Sequence, residues 1–427
     1  MTKKRSYNIF DILIVLSIFL LAGGAYGGAL RPIRVFALIL LPVLLFKVSK
    51  CSFIKNMVST CVLFCFYCLI SLVWTPDISE GINELVYFVI HFLLYFEIII
   101  LAFYSKKPLV SISTGWILLI AFCSIVAIWE LTTGNHLSMA YEENNFIHDG
   151  QGMVVDRRVA SVTFANFNSY CVVVCFALPW MYFRLVNGSI SMCNKIVVII
   201  FLAISMLVVL INGSRGAILT TLCMLAFFLF KYHRKTEKYL ILTPFALVVG
   251  YFLIKYSEEI FMVISMRESL ASEFGKNEGM SEGRVGIWLT ALRAFLPTMG
   301  LGVGCGGMGA AMTAARTSTG VINMTHNMFI ELLLQYGLIW FFVLIFFLIR
   351  LLKRTYKIMD EQISIPLKMA LWLMPVYCII DSTYLLEPIL YVFIATIYIY
   401  TYHNHFENKK ALLIMTRGCK NENNSNR

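Results

Sequence analysis

This sequence has little charge. Asp, Glu, Lys and Arg supply 14% of its 427 residues, against 59% hydrophobic residues and a mean hydropathy of +0.78. A water-soluble domain of that composition could not cover its surface with polar groups, which excludes the soluble globular classes. No polar stretch is long enough to form a separate soluble domain. The longest interruption of the apolar pattern lies between Tyr256 and Thr325. The charge that is present is lopsided, with a net value of +11. In a soluble protein that excess would point to nucleic acid. Here Lys and Arg on cytoplasmic loops account for it, and no nucleic-acid partner is expected. A disulfide framework is also absent, because the cysteines fall almost entirely in apolar runs or cytoplasmic segments. Cys61, Cys65 and Cys68 share one helix face and read as small packing residues rather than cluster ligands.

What the sequence does have is a succession of long apolar runs. They lie near 9–30, 33–48, 57–75, 85–104, 109–132, 165–186, 195–212, 215–231, 239–256, 325–349, 364–386 and 388–404. Each is long enough to read as a membrane helix. The expected fold is therefore an all-α polytopic membrane protein of about 12 transmembrane helices. A large extracytoplasmic loop over 257–324 would carry short amphipathic helices. Of the 35 Lys and Arg, 24 fall on alternate connections and on the termini, which places both ends in the cytoplasm. The other eleven are nearly all Arg. Topology needs only positive charge, whereas the guanidinium fork grips carboxylate or phosphate at two points, so Arg on the outer side suggests anion binding. Arg34 reads as an ordinary helix end, where Lys would serve as well.

Five segments carry candidate chemistry. Asn212-Gly213-Ser214-Arg215-Gly216 is a tight turn between two apolar runs, with Ser214 placed to cap the next helix and Arg215 at an anion-favouring helix start. Arg284 opens a segment in which Ile287, Trp288, Leu292 and Phe295 form one apolar stripe, as in a helix lying in the membrane interface. Gly300 to Gly309 is rich in glycine, but no strand precedes it, which rules out a dinucleotide fold; close approach of the backbone to the membrane or a headgroup is expected instead. His326 begins an apolar helix in which Asn327, Glu331 and Gln335 recur every four residues, a polar face expected to line an enclosed cavity. A histidine so placed can serve as a general base. Arg157 and Arg158, followed by Asn166 and Asn168 at a helix start, make the fifth.

Together and in this order, these motifs resemble the O-antigen ligase and O-antigen polymerase superfamily of bacterial envelope glycosyltransferases. His326-Asn327, nine residues and Gly337 match the family pattern, while Trp340 stands where ligases usually have Gly, Thr or Tyr. The recognisable motifs cover 155–350. The resemblance implies a bacterial cytoplasmic-membrane enzyme with an extracytoplasmic active site. The donor would be an undecaprenyl-diphosphate-linked glycan and the acceptor a glycan or lipid-A-core-type hydroxyl. His326 would act as the base, and Arg215, Arg284 and Arg158 would bind the diphosphate. Ser214, Asn166, Asn327 and Glu331 would make further substrate contacts. No cofactor is expected, and with no acidic cluster beside these Arg residues no metal is required. A multispan transporter or flippase of lipid-linked glycans is the alternative, but the repeated halves common in transporters are absent.

Overall fold

The computed structural model describes residues 7–48, 51–137, 146–148, 154–156, 159–187, 191–231, 284–315, 324–381 and 383–425. The expected ninth run and Arg158 lie outside these residues. The described helices are α1 (Ile9–Phe19), α2 (Pro32–Val48), α3 (Lys55–Ser71), α4 (Ile78–Tyr104), α5 (Pro108–Thr133), α6 (Phe167–Val186), α7 (Met192–Asn212), α8 (Arg215–Lys231), α9 (Arg284–Phe295), α10 (Met308–Ala314), α11 (Met328–Thr355), α12 (Glu361–Trp372), α13 (Met374–Tyr377) and α14 (Pro388–Ser425). Between α5 and α6 a small antiparallel pair, β1 (Phe146–His148) and β2 (Val154–Asp156), sets Ile147 opposite Val155.

The expectation of about 12 transmembrane helices is corrected. Among the described residues, five helices are long and apolar enough to cross a bilayer: α4, α5, α6, α7 and α11. Hydropathy counts apolar residues along a run, whereas a span needs an unbroken hydrogen-bonded helix of roughly 20 residues. The first run leaves the α-helix at Leu20 for a 3-10 turn that stops at Gly24, whose φ is +51°. The second gives a helix of 17 residues with Pro42 inside it. The apolar helices Lys55–Ser71 and Arg215–Phe228 are likewise short. The run expected over 364–386 is broken most completely. It ends as a helix at Trp372, makes one further turn over Met374–Tyr377, and among the described residues forms no further helix before Pro388.

The most enclosed span is α6, whose apolar window is 83% buried. It packs against α5, α7 and α12. Phe176 stacks on Phe393 of α14 at 4.3 Å between centroids, and Trp180 meets Tyr400 at 4.7 Å, so aromatic rings seal the centre of the bundle. Small residues allow close helix approach elsewhere. A Cβ at Gly115 of α5 would lie 2.8 Å from Ile18 of α1.

The glycine-rich segment does not serve as an open approach to the membrane. It is threaded against α11. Gly337 has φ 79° and ψ −176°, a conformation essentially confined to glycine, and it kinks the helix. The kink frees two carbonyls. Leu334 O accepts from Val303 N at 2.8 Å, and Gln335 O accepts from Gly304 N at 3.0 Å. Gly300 O in turn accepts from Leu338 N at 2.9 Å. Buried Glu84 of α4 completes the splice, accepting from Gly306 N (2.8 Å), the Tyr336 hydroxyl (2.7 Å) and the Gln335 amide (3.1 Å).

Candidate functional site

The site forms where α11 begins. Asn327 caps that helix, its side-chain oxygen accepting from Phe329 N at 2.9 Å and Ile330 N at 3.3 Å. The cap fixes the helix start and leaves His326 as the preceding residue, with a φ of +49°. A positive φ is uncommon outside glycine, and such strain concentrates at functional sites. The His326 ring is half-buried and lies beside the backbone of Asp381.

Arg284 opens α9 and reaches the same stretch of chain. Its guanidinium donates to the carbonyls of Ile379 and Ile380, the latter at 3.2 Å. One turn on, Trp288 donates its indole N–H to Thr325 O at 2.9 Å, beside His326. Ile287 and Ala291 form the buried stripe of α9, while Leu292 stays exposed. Arg284 is therefore held by the carbonyls of Ile379 and Ile380, and His326 lies beside the next residue, Asp381.

The turn between α7 and α8 comes to the same place. Gly213 closes α7 in the left-handed region at φ 61°, Ser214 is buried, and Arg215 begins α8 with an exposed side chain. Gly216 packs directly on Ile380, where a Cβ would lie 2.9 Å from that side chain. Three segments far apart in sequence thus meet around Ile379–Asp381.

The remaining expected residues are placed as follows. Asn166 caps α6 through Ser169 N at 2.9 Å. The chain before it is tied to the α7–α8 turn by Asn212, which exchanges two hydrogen bonds with the Ala160 backbone at 2.8 and 2.9 Å. Glu331 is 1% exposed, and its oxygens accept from Tyr384 N at 3.0 Å and Leu385 N at 3.3 Å. The polar face of α11 thus reaches three different partners: its own first turn, the irregular stretch, and Glu84.

Electrostatics suit a base. Burial first, and the neighbouring Arg284 charge second, hold the His326 pKa below the ordinary value of 6.5, although the Asp381 carbonyl opposes the shift. The imidazole is therefore neutral at neutral pH. Arg284 uses two donors on backbone carbonyls and keeps others of its five N–H groups for a ligand. Among the described residues, no group of three or more His, Cys, Asp or Glu could hold a metal ion.

A family model described as O-Antigen ligase matches residues 199–359. Over that stretch the chain is similar to the family. Members are membrane proteins acting on lipid-linked glycans. A search of curated proteins gives no match. The matched region holds Arg215, Arg284, His326 and Gly337, but stops short of Ile379–Asp381. That stretch is what sequence reasoning missed. Asp381 and Glu387 are ionisable residues set in an apolar run, a signal that ordinarily marks a functional segment.

Proposed function

We propose that the chain transfers a glycan from a polyprenyl-diphosphate donor to an acceptor hydroxyl, at the end of the bundle where Arg284 and His326 meet beside the turn that carries Arg215. On this reading that end faces away from the cytoplasm. The observation that carries the reading is the convergence of a strained, half-buried histidine and two arginine segments on one three-residue stretch. The acceptor hydroxyl attacks the anomeric carbon while His326 takes its proton. The new C–O bond forms as the bond from that carbon to the diphosphate oxygen breaks. Arg284 and Arg215 stabilise the charge growing on the leaving diphosphate. Arg158 would add to that field. A single displacement of this kind inverts the anomeric centre.

A second feature supports a lipid-linked donor. An apolar cavity of about 220 Å³ lies between α3, α4, α11 and α14, beginning beside Met328 and Leu385 and lined farther along by Phe64, Tyr95 and Phe347. Its Met328 end adjoins the site, and its apolar lining suits a hydrocarbon chain. Trp340, the departure from the ligase pattern, lines this cavity and packs edge-on against Phe64 at 4.9 Å.

The test is single-turnover transfer by purified protein in detergent, with a polyprenyl-diphosphate glycan and an acceptor sugar and no ion gradient. Product formation is expected. Gradient-dependent movement of the donor across a vesicle, with no new glycosidic bond, would replace this reading with transport.

A further inference from the structure

We infer that Glu331 is a positioning residue, which holds the irregular chain after Tyr377 so that its carbonyls keep Arg284 and His326 in register. This rests on the transferase reading for its kinetic consequence, but not for its structural one. Glu331 is too buried to meet a sugar, and both its oxygens are committed to the amides of Tyr384 and Leu385. From Tyr384 the constraint passes back along the chain. The Tyr384 hydroxyl accepts from Ile380 N at 2.9 Å and Asp381 N at 2.8 Å, and donates to Tyr377 O at 2.6 Å. The amides of Ile380 and Asp381 are thereby fixed, and with them the carbonyls of Ile379 and Ile380 that hold Arg284. The backbone of the next residue, Asp381, lies beside the His326 ring. Met328 N donates to Cys378 O at 3.0 Å, closing the loop onto the first turn of α11.

The far end of the stretch is clamped separately. Arg31 grips both oxygens of Glu387 at 2.5 and 3.1 Å, and Arg34 donates to Leu386 O at 3.2 Å. Between these anchors, Glu331 supplies the two acceptors for Tyr384 and Leu385. A buried amide left without an acceptor is costly, so the stretch shifts when they are lost. Glu331→Gln keeps one carbonyl oxygen and turns an NH2 group toward the other amide. The volume is unchanged, which isolates the hydrogen bond from packing.

The readout is the protonation of His326. The charged group that faces it is Arg284 from α9, and the Asp381 backbone of the irregular stretch lies beside it. Loosening the stretch lets Arg284 and His326 separate and admits water to the ring. Both causes of its lowered pKa then weaken. Histidine-labelled protein in nanodiscs, titrated by NMR, gives that value directly, with His326→Ala assigning the signal. In Glu331→Gln, and equally in Tyr384→Phe, the His326 titration should move up by about half a pH unit or more. The acid limb of transfer should move with it, and kcat should fall about 10- to 100-fold with a much smaller change in donor KM. A variant that is merely less stable would lose active protein without moving either midpoint. An unmoved His326 titration in folded Glu331→Gln and Tyr384→Phe overturns the inference, whatever the activity. If wild-type protein transfers no glycan while the titration moves as expected, the functional reading fails and the positioning role stands.

Discussion

Gly337→Ala tests whether the glycine of the family motif is there for the fold or for the chemistry. At φ 79° and ψ −176° an alanine backbone is strained by on the order of 1–3 kcal/mol. The added Cβ would lie 2.2 Å from Gly300 O and 2.6 Å from Leu301 C, both backbone atoms, so the glycine-rich segment has to move. Movement endangers the three backbone hydrogen bonds that join the segment to α11, each contributing about 0.5–1.5 kcal/mol. The combined loss is roughly 3–6 kcal/mol, a large part of the stability of an ordinary domain. Thermal unfolding in detergent, followed by tryptophan fluorescence, should show a steep fall in midpoint and in the yield of folded protein. Gly309→Ala is the matched control. It lies in α10 with open space where the Cβ would go, so it should unfold like wild type or slightly later. A Gly337→Ala protein that unfolds within about 2 °C of wild type would refute the argument. The kink would then be one of several conformations that α11 tolerates.

The other expectations concern the site and its clamps. His326→Ala should stay folded and bind donor while transfer slows about 10²–10⁴-fold; near-normal turnover would exclude the base role. Because the His326 pKa lies below 6.5 and the neutral ring is the active form, wild-type transfer should be lost only as pH falls through that lowered value. Arg284→Ala removes one cause of the lowering, so its acid limb should shift upward; a fixed limb would show that the two residues do not interact. Arg215→Lys retains charge but not the fork, and should weaken transfer by roughly tenfold or more, as measured by kcat/KM for the lipid donor; full activity would leave Arg215 with a structural role. Arg34→Lys is expected to cost about 2–4 kcal/mol in unfolding experiments, because one ammonium cannot replace donors aimed at His91, Gly28 O and Leu386 O; an unchanged midpoint would show that these bonds contribute little.

That last expectation reverses what Arg34 suggests in the sequence, and the reason is general. A helix-end arginine in a hydropathy plot has no partners to display. Only folding brings Tyr87 within 4.0 Å of its guanidinium and His91 within 3.2 Å of its Nε. The number of crossings went wrong for a related reason. Apolar composition persists through Leu20–Gly28 and through 373–387, but hydrogen-bond continuity does not, and only continuity makes a span.

What the sequence alone determined is the membrane class, the likeness of its second half to one family, and the candidates for reactive side chains. Composition forbids a polar surface, and the His326–Gly337 spacing with the Arg215 and Arg284 segments is local enough to read directly. What only the tertiary structure decided is where those side chains go. Arg284 and His326 meet because Arg284 donates to the carbonyls of Ile379 and Ile380 and His326 sits beside the backbone of Asp381, and backbone groups carry no sequence signature. The glycines at 300–309 reveal that some close approach is needed, but not that its target is the kink at Gly337. A residue type states which bonds a side chain can make. Its partners, 50 to several hundred positions away, are chosen by the packing of the helices that carry them.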